Sequence, residues 1–113
     1  MKIARAIGIF LLVLLGWTGY ATAAPLILTW QDNSNNETGF EIQKCLGSGC
    51  SNFTVLTNVG ANVQTFTDTS VGEAVTACYK VRAFNATAFS DFSNTACGTS
   101  KLNAPTNVQV QSQ

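Results

Sequence analysis

From residue 26 onward, apolar and polar positions alternate in short runs separated by clusters of turn-forming residues. Leu26, Leu28 and Trp30 fall on one face of the first run, with Ile27 and Thr29 on the other. Phe40 and Ile42 alternate with Glu41 and Gln43, Phe66 stands between Thr65 and Thr67, and Tyr79, Val81 and Ala83 alternate with Cys78, Lys80 and Arg82. A period of two is the signature of a half-buried strand. The pattern predicts strands over Leu26–Trp30, Phe40–Lys44, Phe53–Val59, Thr65–Thr69, Cys78–Asn85 and Ser93–Cys97. Gln31–Gly39, Gly47–Gly49 and Gly60–Asn62 supply the turn chemistry between them, and Ala86–Asp91 closes a hairpin. Residues 24–113 hold no helix-period segment, so the fold class predicted is all-β.

The first 23 residues follow a different rule. Lys2 and Arg5 precede an unbroken apolar run, Ile7–Trp17, and then Ala21-Thr22-Ala23. A basic start, a short apolar segment and an Ala-x-Ala site predict a secretory signal peptide cut after Ala23. The run is shorter than the roughly 20 apolar residues that a membrane-spanning helix needs. The predicted organisation is therefore a signal peptide over 1–23, one domain over 24–100 and a tail over 101–113. No membrane span is expected after cleavage, and the expected location is secreted or periplasmic.

The pair Cys78–Asn85 and Ser93–Cys97 resembles the last two strands of a fibronectin type III domain, in the bacterial extracellular form where a cysteine pair joins them. Leu28-Thr29-Trp30 is similar to the Leu-x-Trp of that family's strand B. The following Trp-x-Asp-x-Ser and Asn-Glu-x-Gly-Phe, here Trp30–Ser34 and Asn36–Phe40, resemble its next loop and strand. The resemblance covers Leu26–Ser100 and implies an immunoglobulin-like Greek-key β-sandwich with strands B, C, C′, E, F and G. Two departures stand out. The family's tying tyrosine falls on Ala77, which predicts a looser crossing over residues 70–76. Strand A is missing before Leu26, whereas Ala104-Pro105-Thr106 through Val110 resembles the start of such a strand at the other end.

Four cysteines in a small exported domain predict two disulfides. Cys45–Cys50 closes a local ring around two glycines, and Cys78–Cys97 joins neighbouring arms; this is the expected pairing. A cross-pairing from strand C, through Cys45 or Cys50, to the last hairpin stays open. By loop-closure entropy the short ring contributes about 2 kcal/mol and the longer one about 3 kcal/mol. Zinc is not expected, since there is no Cys-x-x-Cys and no histidine in 113 residues.

The same absence of histidine removes Ser-His-Asp and Cys-His catalysis. Asp32 and Glu37 share one loop, but Asp32 is expected to cap backbone N–H groups and Glu37 to face solvent. The Asn-rich loop also fails the calcium-loop spacing. Without Lys2 and Arg5, Lys44, Lys80, Arg82 and Lys101 face Asp32, Glu37, Glu41, Asp68, Glu73 and Asp91. The domain is mildly acidic with no basic stripe, so nucleic acid is not expected as a partner. No cofactor and no catalysis are expected. Phe84, Phe89, Lys80 and Arg82 form the candidate binding surface, because the resemblance implies a binding role for the loop after Phe84. The expected function is an exported binding or scaffolding module for an extracellular protein or polysaccharide. The alternatives are a subunit that self-assembles by strand exchange through its tail, hence a homo-oligomer, or a piece of a longer multi-domain secreted protein.

Overall fold

The computed structural model describes residues 24–113; the predicted signal peptide, 1–23, lies outside the described residues. The strands are β1 (Leu26–Thr29), β2 (Gly39–Leu46), β3 (Thr54–Gly60), β4 (Thr65–Asp68), β5 (Thr76–Phe84) and β6 (Ala96–Thr99). They form two antiparallel sheets, one of order β1-β4 and one of order β3-β2-β5-β6. The all-β expectation holds, and each of the six strands overlaps its predicted run.

The core lies between the sheets. Phe40 and Ile42 of β2 and Ala77, Tyr79, Val81 and Ala83 of β5 are buried, with Leu26, Leu28, Trp30, Leu56, Val59 and Phe66 packed against them. Trp30 meets Phe40 with ring centroids 5.7 Å apart in a tilted pair. A register shift after Ile42 leaves Leu56 as the extra residue of β3, where Ile42 faces Thr57 and Gln43 faces Val55.

Strand β6 starts three residues later than its predicted run. Ser90 and Ser93 explain the difference. Their hydroxyls accept the N–H groups of Ala83 and Val81 at 2.9 and 3.0 Å, and their own N–H groups donate to the carbonyls of the same two residues. Two serine clasps thus occupy the edge of β5 that a regular partner strand would have filled. At the other end, β2 runs on through Leu46 to a turn in which Gly47 and Gly49 adopt φ of 95° and 73°. That left-handed region is open to glycine at no steric cost.

The crossing over 70–76 is tied, contrary to the expectation drawn from Ala77. The Ser100 hydroxyl takes the Val75 N–H at 3.0 Å and donates to the Gly72 carbonyl, while the Ser100 N–H donates to the Val75 carbonyl at 3.0 Å. Val71 is buried beneath it. A tyrosine does contribute, from two positions further on. The Tyr79 hydroxyl donates to the buried carboxylate of Asp68 at 2.6 Å.

Asp68 is the polar joint between the sheets. It ends β4, and it also accepts the Lys44 ammonium of β2 at 2.8 Å and the N–H and hydroxyl of Ser70. Lys44 shares the parity of Phe40 and Ile42, so its side chain enters the interior and needs this counter-charge. Burial opposes the charge on Asp68, but the Lys44, Ser70 and Tyr79 donors outweigh it and hold the carboxyl far below the usual range. Burial and then the Asp68 hydrogen bond and charge push the Tyr79 phenol well above its ordinary value.

A candidate binding face on the four-stranded sheet

The outer face of β2 and β5 is built from register pairs. Gly39 faces Phe84, Glu41 faces Arg82, Gln43 faces Lys80 and Cys45 faces Cys78. Alternation puts all eight on the side away from the core. At one end, both expected disulfides form, Cys45–Cys50 and Cys78–Cys97, with no free cysteine among the described residues. The strand C cross-pairing is absent. Because Cys45 and Cys78 are register partners, the two bridges lie side by side, and the sulfurs of Cys45, Cys50 and Cys78 all sit within 4.8 Å of one another. Cys78, expected on the outward face, is there but covered, with its sulfur 3.6 Å from the Gly47 carbonyl.

Beyond the sulfurs the same face carries alternating cations and aromatic rings. The Lys80 ammonium stands 4.5 Å from the Phe53 ring centre and 4.2 Å from that of Phe92. The Arg82 guanidinium lies 4.5 Å from Phe92 and 3.8 Å from Phe89. Phe89 in turn meets Phe84 at 6.3 Å. The order Phe53, Lys80, Phe92, Arg82, Phe89, Phe84 makes one continuous ladder. Each cation–ring contact at such a site contributes about 0.5–1 kcal/mol.

The two cations differ in their counter-charge. The Arg82 Nε donates to Glu41 at 2.7 Å, and the Gln43 amide adds a donor to the same carboxylate oxygen at 3.2 Å. Among the described residues no carboxylate pairs with Lys80. The ladder therefore carries one uncompensated positive charge between half-covered rings, and near its far end Phe89 is 57% exposed. Gly39 lets the ladder lie close to the sheet, since a Cβ there would stand 2.4 Å from the Val59 carbonyl oxygen and 2.9 Å from the Phe84 ring.

All four candidate surface residues, Phe84, Phe89, Lys80 and Arg82, come together here. Phe53 and Phe92 belong to the same face, although from sequence Phe53 stood only as the start of a strand and Phe92 only as the residue before one. No local signal marks them: Phe53 shares the phase of the core residue Val59 until the register shift in β3 reverses it, and Phe92 shares that of Ala96, the partner of inward Tyr79. In the loop after Trp30, Asp32 caps the Ser34 N–H at 3.0 Å, as expected. Glu37 does not face solvent as expected: it is half-buried and accepts the Asn62 N–H at 3.2 Å.

No protein-family model and no curated protein matches this chain. Among solved structures it is similar to a β-sandwich protein redesigned by computation, with a TM-score of 0.58 at 16% identity, over 78% of this chain and 87% of that one. The fold is a β-sandwich. At that identity the likeness concerns architecture alone. No helix among the described residues is long and apolar enough to cross a membrane, and the paired cysteines fit an oxidising, extracellular type of environment.

Proposed function

We propose that this chain is an exported, non-catalytic binding or scaffolding module of fibronectin type III kind, engaging an extracellular protein or carbohydrate through the outer face of β2 and β5. The observation that carries the reading is the cation–aromatic ladder with the unpaired Lys80 ammonium. Rings held by cations are already ordered, so a partner that stacks on Phe89 or Phe92 pays little additional side-chain entropy. Lys80 offers its donors to an anionic or hydroxyl-rich group beside those rings. The resemblance of residues 26–100 to fibronectin type III domains, and the disulfides, support the family and the export.

The test is equilibrium binding of the purified chain to immobilised panels of neutral and uronate-bearing polysaccharides and of cell-surface proteins. Phe89→Ala and Lys80→Gln are expected to weaken a genuine interaction at least tenfold, about 1.4 kcal/mol, with the fold intact by circular dichroism. Binding that neither substitution alters, or no binding across both panels, removes the proposal.

A further inference from the structure

Strand β1 is hydrogen-bonded on one side only. Its register with β4 pairs Leu26 with Asp68 and Leu28 with Phe66, and the Trp30 N–H donates to the Gln64 carbonyl at 3.1 Å in the same phase. In an antiparallel ladder successive residues point their backbone groups to opposite sides. The N–H and C=O groups of Ile27 and Thr29 therefore face away from β4, where no strand lies among the described residues. Beside this edge runs an apolar groove of about 260 Å³ between β1 and β6, lined by Leu26, Leu28, Trp30, Val81, Ala96 and Gly98. Its β1 side chains belong to the core yet remain only partly covered. Small residues on the β6 side keep it open: a Cβ at Gly98 would come within 3.7 Å of Leu26. Trp30, whose buried indole N–H has no acceptor among the described residues, is one of the residues that line this groove.

The chain also carries a segment of the opposite kind. Thr106-Asn107-Val108-Gln109-Val110-Gln111 alternates polar and apolar, has no charge to desolvate, and is in no strand. Val108 and Val110 are 80% and 93% exposed. Added along β1, the segment would direct Val108 and Val110 into the groove beside Leu26 and Leu28 and supply partners for Ile27 and Thr29.

We infer that the groove at the β1 edge is a docking site for residues 106–111 of a second copy of this chain. Geometry disfavours the chain's own segment. The Asn103 N–H is anchored to Glu73 at 2.7 Å, and residues 101–103 line one pocket with Ala24, Pro25 and Leu26, at the start of β1. The Cα steps from Asn103 to Thr106 span at most about 11 Å, whereas Leu26 to Trp30 extends about 13 Å. The chain's own segment can thus join only from the Leu26 end, parallel to β1. A neighbour's segment meets no such limit and can add in the antiparallel sense, the more stable pairing.

The experiment measures solution mass by light scattering across micromolar to millimolar concentrations, for the full chain and for its Val108→Asp/Val110→Asp variant. Both valines are exposed in the single copy, so the double substitution leaves the domain folded. Amide exchange at Ile27 and Thr29 is followed in the same samples. The wild type is expected to self-associate with concentration, with those two amides protected roughly tenfold more than in the variant, and the variant to be monomeric. A synthetic peptide of residues 101–113 added to the variant is expected to restore protection at both amides. A monomeric wild type at every concentration overturns the inference, as does association that the double substitution leaves unchanged. A monomeric wild type whose Ile27 and Thr29 amides are protected places its own segment in the groove and overturns it equally. None of these outcomes bears on the ladder face, which lies on the other sheet.

Discussion

In the four-stranded sheet, β2 and β5 each have a hydrogen-bonded neighbour on both sides, an inner face packed on the core and an outer face covered by disulfides and the ladder. In the two-stranded sheet, β1 has one neighbour, a bare edge and two core side chains, Leu26 and Leu28, only partly covered. A domain of about 90 residues buries a limited share of its surface, and here that share is concentrated on β2 and β5. Cross-links reinforce the well-packed sheet, and one buried carboxylate ties the weaker sheet to it. Cohesion is therefore uneven: the β4 end of the small sheet is held by Asp68, while its β1 edge is held by little besides its pairing with β4.

Removing the joint should have the largest effect on that contrast. Asp68→Ala leaves the Lys44 ammonium inside without a counter-charge and the Tyr79 hydroxyl without its acceptor, and is expected to cost about 4 kcal/mol in denaturant unfolding. The same joint sets the pH response. The folded carboxyl of Asp68 is held below its unfolded value near 3.8, so its contribution is complete above that value and fades as the pH falls through the acid range. The Tyr79 phenol is raised above its ordinary 10.0, so its contribution is complete below pH 10 and fades as the pH climbs beyond it. Stability measured against pH should plateau between those limits, and Asp68→Ala should flatten both flanks.

Next in size is the cross-link on the large sheet. Replacing Cys78 and Cys97 by alanine opens a ring of sequence separation 19, against 5 for Cys45–Cys50, and should cost about 3 kcal/mol against about 2 for the shorter ring. Thermal unfolding of the two double variants orders them; equal losses would mean that ring size does not govern the stabilisation. The smallest effect is expected on the bare edge. Ile27 is 69% exposed, and Ile27→Thr should shift the stability of the single copy by no more than about 0.5 kcal/mol. A larger loss at dilution, where a second copy is absent, would show β1 to be better supported than its edge suggests.

Much of this was legible before any coordinates. Alternation marked the strands, because in a strand without a bulge a residue's parity decides which face it takes; in β3 the register shift reverses it, so that Val55 and Val59 face opposite sides. Alternation also placed Lys80 and Arg82 on the outer face of β5 and Tyr79 and Val81 on the inner one, while the number of cysteines in a small exported domain pointed to two bridges. Parity hid one thing in plain view: Lys44 shares the phase of Phe40 and Ile42, an inward charge that announced a buried partner without saying which. The serine clasps at Ser90 and Ser93 were not legible, since a hydroxyl that replaces a ladder partner reads locally like any loop residue.

By itself, then, the sequence determined the strand content, the faces of β1, β2 and β5 and the supply of cysteines, all of which follow from local period and composition. Only the tertiary structure decided the register, and with it everything that depends on distance between strands. Register brought Cys45 beside Cys78, set Phe53 and Phe92 on either side of Lys80, aimed Lys44 at Asp68 and left Ile27 and Thr29 with open backbone groups. These contacts join residues up to 33 positions apart, such as Cys45 and Cys78. A one-residue slip in a pairing would exchange the faces of the slipped strand and undo the contacts that depend on it.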